Sequence, residues 1–416
     1  MSVSVTNPWS GYEPLLEKWS ALSLLLESQR HLWEPRPFME PFVSWEEDWP
    51  EVSKWAKGLS GEAIDAMEAN PFVLDNIPKA FSAWAQHVAE HVAIGTLPFT
   101  KLPHTGRRQL SWKVPQTKWK QVQAFCASLL SVWPQQGREI VDWCSGKGHL
   151  GRTLGAILNL PLLGLERQAP LCEVGVSMAT RQQVEGRFIP TDVLADDAGP
   201  FLSEEQVAVG LHACGVLSHT LLRQAVEHNL LAVAVAPCCH HFVGNGVNEY
   251  QPLSQAGQKL AMSLDDRLLR LSIADEVKAS PLERRKRRRE LAFRLGFDEL
   301  VREATGEDQY RSMGNLSLNV CELPFANFCI QMSESLELPL PPKWNPTRAL
   351  QAGIQRSREA RGRALVRSLF RRPMELWLVA ERALFLAEHG WDTQVGVFCK
   401  PSLTPRNVMI IGRRKG

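Results

Sequence analysis

The segment EIVDWCSGKGHLG, residues 139–151, constrains what this chain can fold into more than any other. A short apolar run meets two glycines separated by one residue, and a helix-compatible sequence follows, so a strand turns sharply into a helix. Such a turn opens an α/β unit and presents its backbone to a ligand. Strand candidates continue downstream at Leu162 to Leu165, Arg187 to Pro190, Val207 to His212 and Leu231 to Ala236, with helix-length segments between most of them. VGVFC at 395–399 and VMIIG at 408–412 add two more. The pattern predicts an α/β fold with a Rossmann-like, doubly wound, mostly parallel seven-stranded sheet. An N-terminal helical region precedes it, and helical insertions come before the last two strands.

Four regions follow. Residues 1–112 carry Leu, Trp and Ala at three- and four-residue spacings and read as a helical region. Residues 113–252 form the nucleotide-binding core, 253–390 a helical, arginine-rich insertion, and 391–416 a strand pair completing the sheet. A chain of 416 residues exceeds one ordinary domain. It has no basic start followed by an apolar run, and no stretch of about 18 apolar residues. Its nine cysteines, two of them adjacent, suit reduced thiols better than a secreted disulfide framework. The expected setting is cytoplasmic, without a membrane; the oligomeric state stays open.

Gly146 and Gly148 admit crowded or left-handed backbone, and the amides that open the following helix favour an anionic group. About twenty residues on, Glu166 ends the second strand, placed to accept hydrogen bonds from two ribose hydroxyls. Asp192 follows the third strand, in position for an adenine amino group. A nicotinamide dinucleotide is the rival ligand, but CSGKGHLG does not spell the expected GxGxxG, since positions 144, 146 and 148 are Cys, Gly and Gly.

The segment DWCSGKGHLG resembles motif I of class I methyltransferases, with Cys144 in place of the first glycine. LHACG at 211–215 and PCCHH at 237–241 resemble segments of the methyltransferase-like protein 25 group and of the methyltransferase module of the glutathione S-transferase C-terminal-domain-containing protein. The CCHH element is also similar to one in the family that 2′-O-methylates the tRNA acceptor stem, and LTPRNVMIIG is similar to the segment closing the first group. These islands cover most of residues 120–416. The resemblance implies S-adenosylmethionine (SAM) as methyl donor. Asp142, Cys144, Ser145, Gly146, Gly148, His149, Glu166, Asp192 and His212 are the residues expected to hold it.

Parallel, adjacent fourth and fifth strands would bring His212, Cys214, Cys238, Cys239, His240 and His241 together at the same sheet edge. Three roles are open to these candidate catalytic residues, besides simple packing. His240 or His241 could act as general base for a hydroxyl or protonated nitrogen. A cysteine could add to a pyrimidine ring, since thiolate is the strongest side-chain nucleophile near neutrality. Cysteine and histidine could together hold zinc, although four contiguous ligands do not readily face one ion, and no metal is assigned. Arg284 to Arg289 form an unbroken cationic run, and Arg356 to Arg372 a second arginine-rich stretch. Both are candidate phosphate contacts, so RNA, a tRNA or rRNA, is the leading acceptor. The alternatives are a protein or small-molecule acceptor, in which case the arginines should be salt-bridged, and a silent binding module.

Overall fold

The computed structural model describes residues 8–40, 42–103, 110–134, 136–195, 198–244, 246–260, 262–273, 281–314, 316 and 322–415. The chain forms two compact units, each assembled from separated stretches: Met1–Glu27 with His91–Ile273 and Arg372–Gly416, and Ser28–Glu90 with Ala274–Arg371.

The first unit is built on one sheet. Its strands are β1 (Trp9–Ser10), β2 (Glu139–Trp143), β3 (Leu162–Glu166), β4 (Gly186–Pro190), β5 (Gln206–Cys214), β6 (Ala232–Cys238), β7 (Asp392–Val397) and β8 (Val408–Arg413). They lie in the order β1-β7-β8-β6-β5-β2-β3-β4. Strands β2 to β6 pair in parallel, while β8 runs antiparallel to both β6 and β7. The doubly wound, mostly parallel sheet expected from the sequence is therefore present, with eight strands rather than seven. The additional strand, β1, pairs antiparallel with β7 through two residues, too few to register as a periodic pattern.

The central strands are apolar on both faces because helices cover both. Val207 and Val209 of β5 and Ala232 and Ala234 of β6 pack with Val122, Phe125 and Leu129 of the helix Gln116–Leu130, and Ala208, Val233 and Val235 are equally buried on the opposite face. The helices His149–Leu158, Ala169–Arg181 and Val216–Glu227 follow β2, β3 and β5. The strand order reverses between β2 and β5, and in an open α/β sheet the crevice beyond the carboxyl ends of the strands at such a switch point receives the ligand.

The second unit is helical. Its longest members, Pro281–Thr305 and Pro346–Ser368, run together over a core of Phe293, Phe297, Phe325, Phe328 and Met332. Among the described residues no helix is long and apolar enough to cross a membrane.

Candidate active site

The loop after β2 takes three left-handed residues in close succession: Cys144 (φ 54°), Gly146 (φ 56°) and Gly148 (φ 68°). Two are the glycines that make the turn affordable; Cys144 adopts the same region with a side chain, a conformation that costs about 1–3 kcal/mol and is retained at functional turns. Ser145 N–H donates to Leu165 O at 2.9 Å and Gly148 N–H to Ser145 O at 2.8 Å, so the loop is tied to β3 and to itself. Gly148 then caps the helix His149–Leu158.

Two carboxylates brace this loop. Asp142, buried at the end of β2, accepts the Gly151 N–H at Oδ2 (2.9 Å). Burial pushes its carboxyl up to about 7, with Glu166 adding to the shift while the Gly151 N–H, Lys118 and Arg152 oppose it. Glu166, at the end of β3, accepts Gly146 N–H at Oε2 (2.9 Å) and Gln168 N–H at Oε1 (3.0 Å). Asp192, past β4, accepts the Leu194 N–H at 3.1 Å in a turn of its own, and the adjacent Thr191 N–H donates to Glu166 O. His149 accepts a hydrogen bond at Nδ1 from Arg152 (2.7 Å). Burial first and Arg152 second hold its imidazole down at about 4, so it is neutral. The Cys144 thiol is pushed up to about 12, chiefly by burial, and carries no thiolate near neutrality.

At the neighbouring edge β5 and β6 bring the second set together. Their ladder shifts between Leu211 and Ala213, where His212 adopts φ 65°, and resumes with Ala213 opposite Pro237, which sets Cys214 opposite Cys238. Their sulfurs stand 3.4 Å apart, and those of Cys214, Cys238 and Cys239 all lie within 4.8 Å of one another. Gly215 (φ 49°) follows under the loop from β6: a Cβ there would lie 2.0 Å from Phe242 O, so only glycine fits. His212 Nε2 donates to Gln121 Oε1 at 3.0 Å.

The two adjacent histidines part company. His240 is buried and accepts an Arg382 guanidinium N–H at Nδ1 (2.6 Å). In a neutral ring the proton then sits on Nε2, which has no protein partner among the described residues. His241 is half-buried, and its Nδ1 has no partner among those residues either. Arg382 and Glu381 are both fully buried; Glu381 accepts from Tyr250 OH (2.5 Å) and Ser254 N–H (2.6 Å), while Arg382 Nε and Nη2 find no partner among the described residues. Arg382, His240, His219 and Arg223 line a cavity of about 480 Å³ that reaches Gly215 and Phe242.

Lys118, Gln121 and Arg382 escape sequence reading. Lys118 lies within electrostatic reach of Asp142, Cys238 and Cys214, and burial lowers its ammonium pKa despite them. All three residues lie on helices far from the strand ends in sequence, and nothing local marks them. A half-buried lysine or a buried arginine within an amphipathic helix looks like any other until the fold supplies its partner.

Residues 117–245 match the sequence model of a methyltransferase domain family. Among curated proteins, the glutathione S-transferase C-terminal domain-containing protein of Xenopus laevis is 28% identical over 160 residues, 38% of this chain and 25% of that protein. Its homolog in Drosophila melanogaster is 25% identical over 183 residues, 44% and 28% of the two chains. The chain thus spans about a quarter of the length of the curated relatives it matches. Among solved structures, the geranyl diphosphate C-methyltransferase of Streptomyces coelicolor A3(2) overlaps 36% of this chain and 61% of its own at 15% identity, with a TM-score of 0.25. That overlap adds nothing to the reading of the site. The glycine turn after the first core strand, the acid ending the next and the matched segment agree, and residues 117–245 are a methyltransferase domain of the class I, SAM-dependent type.

Proposed function

We propose that the chain transfers the methyl group of SAM to a small acceptor bearing an acidic group. The observation that carries the donor half is the loop geometry. Gly146 has open space where a side chain would be, Ser145 and Thr191 each keep a buried hydroxyl with no partner among the described residues, and the Glu166 carboxylate faces the loop. These features fit the donor, with Asp142, Cys144, Ser145, Gly146, Gly148 and His149 around its amino-acid end, Glu166 on the ribose hydroxyls and Asp192 beside the adenine. His212 would close the same edge. When bound, SAM supplies an electrophilic sulfonium methyl.

This chain's own contribution is then to hold the acceptor in line and take its proton. His241 fits the proton-accepting role, because its Nδ1 has no partner among the described residues whereas His240 has its acceptor nitrogen engaged by Arg382. His240 Nε2–H instead serves as a donor. Together with the two Arg382 nitrogens that have no partner among the described residues, it forms the charge-assisted pair we assign to a carboxylate or phosphate, on residues that line the cavity.

The RNA acceptor expected from the arginine runs draws less support. Arg288 pairs with Asp65, Arg361 with Asp65 (2.7 Å) and Glu68 (3.1 Å), Arg363 with Glu46 (3.0 Å), and Arg356 with Asp298 (2.9 Å) and Glu299 (2.5 Å). Lys286 pairs with Glu322 and Arg372 with Glu375. Cations already matched by carboxylates within the fold gain less from phosphates.

The test is transfer of label from methyl-labelled SAM into RNA, protein and small-molecule fractions of a lysate lacking this protein. Wild type is compared with Gly146→Arg and Arg382→Met, with SAM affinity measured alongside. We expect label in the small-molecule fraction, lost in both variants, with SAM binding lost only in Gly146→Arg. Label in RNA that survives Arg382→Met would restore the RNA reading, and label nowhere would favour a silent module.

A further inference from the structure

We propose that Cys214, Cys238 and Cys239 form a three-thiolate site for a zinc ion, with a fourth coordination position left open. Contiguous spacing alone argues against a metal here, because side chains at successive positions of a strand point to opposite faces. The structure removes that objection in two steps. The ladder shift at His212, itself at φ 65°, sets Cys214 directly beside Cys238. Cys239 then leaves β6 at φ 45°, a left-handed turn that returns its sulfur to the same side as its neighbours. Two non-glycine residues in the left-handed region, each costing about 1–3 kcal/mol, converge on one cluster of sulfurs, and strain of this kind persists where surrounding interactions over-determine it.

The distances fit a metal rather than a disulfide. With one edge of 3.4 Å and none above 4.8 Å, the three sulfurs share a centre no more than about 2.6 Å from each, against about 2.3 Å for a zinc–thiolate bond. A disulfide needs about 2.05 Å between sulfurs. Among the described residues no other His, Cys, Asp or Glu ligand atom joins the group. His212 is not part of the group: its Nε2 donates to Gln121, and neither ring nitrogen joins the three sulfurs within 4.8 Å. Three thiolates around a divalent ion leave one net negative charge, and Lys118, within Coulomb reach of Cys238 and Cys214, offsets it. Three protein ligands and an open position mark a site that binds an exogenous ligand rather than a closed structural one. Placing that ligand among the acceptor's atoms rests on the methyl-transfer reading; the metal itself does not.

The full chain, purified reduced and without a metal-affinity tag, should contain close to one zinc per molecule by elemental analysis. The metal-free protein titrated with cobalt(II) should develop thiolate-to-metal charge-transfer bands and the intense visible bands of tetrahedral cobalt. Cys214→Ser and Cys239→Ser should lose those bands and weaken cobalt binding at least about 100-fold, whereas Cys172→Ser, outside the cluster, should keep both. SAM affinity and circular dichroism, read on the same samples, report the donor site and the fold separately. Absence of zinc and of cobalt bands in a reduced, folded protein that binds SAM would overturn the proposal. So would a Cys214–Cys238 disulfide found by mass spectrometry after purification without reductant, or metal retained when all three cysteines are serine.

Discussion

Replacing Glu166 tests the donor site most directly. Its carboxylate accepts two backbone N–H groups, from Gly146 at 2.9 Å and Gln168 at 3.0 Å, and the proposed ribose contacts use the same two oxygens. Hydrogen bonds to an ionised group contribute about 1.5–3 kcal/mol each, and exposed or shared ones fall at the low end. In Glu166→Ala both ribose acceptors go and the Gly146 turn loses its brace, so we expect a loss of about 2–3 kcal/mol, or about 30- to 150-fold in Kd for SAM. Glu166→Gln keeps one acceptor oxygen, and its amide faces a backbone N–H with the wrong polarity. Its loss should be about 1–1.5 kcal/mol, roughly 5- to 12-fold. Isothermal titration with SAM and with its demethylated product measures both, and thermal melts followed by circular dichroism control for folding. A graded loss, Ala greater than Gln, with nearly unchanged melting supports the assignment. If both variants bind SAM within about threefold of wild type, Glu166 is not a donor ligand and the geometry has been misread.

Three further outcomes follow from packing and charge. Asp142 has its carboxyl raised to about 7 in the fold, so the native state holds a proton that the unfolded chain releases near pH 4; stability must fall as pH rises from about 4 to 7. Asp142→Asn removes that slope. Its stability relative to wild type should grow between pH 5 and pH 8 by at most about 3 kcal/mol in urea titrations, and a pH-independent difference would count against a raised carboxyl. Gly164→Ala places a Cβ 2.4 Å from the Phe188 ring, which should cost about 1–3 kcal/mol by overpacking. Combining it with Phe188→Leu should recover part of that loss, and strict additivity of the two would show that they do not touch. Glu46 accepts from Ser53 (2.6 Å), Arg363 (3.0 Å) and Lys57 (2.8 Å) in a buried cluster. Glu46→Ala leaves the buried Arg363, among the described residues, with only Glu359 at 3.9 Å and should cost about 3 kcal/mol by denaturant unfolding, against less than 1 kcal/mol if that pair behaves as a surface one.

Much of the architecture was legible because its signal is local. Apolar runs of five to seven residues, separated by helix-length segments, specify strands buried on both faces wherever they end up. Glu139–Trp143 was readable in full, and the other core strands to within two residues at either end. The two-residue β1 had no period to detect. The placement of three acids was equally readable: Asp142, Glu166 and Asp192 each close or follow one of three successive strands, and a doubly wound sheet delivers such ends to one edge.

What the sequence determined by itself was therefore the alternation of strands and helices, the turn that bares the loop backbone, and the acids around it. Which way each histidine faces was decided only in three dimensions, because Arg382, 142 positions from His240 in the chain, chooses the nitrogen that carries the proton. The fate of the arginines was decided there too: Arg363 and Glu46, 317 positions apart, neutralise one another across helices whose sequences give no hint of the pairing. The convergence of three thiols likewise depends on a one-residue shift in a ladder and one left-handed turn. Periodicity records which face of an element is apolar; it carries no information about which distant polar group will meet it, and that meeting sets protonation, charge balance and metal affinity.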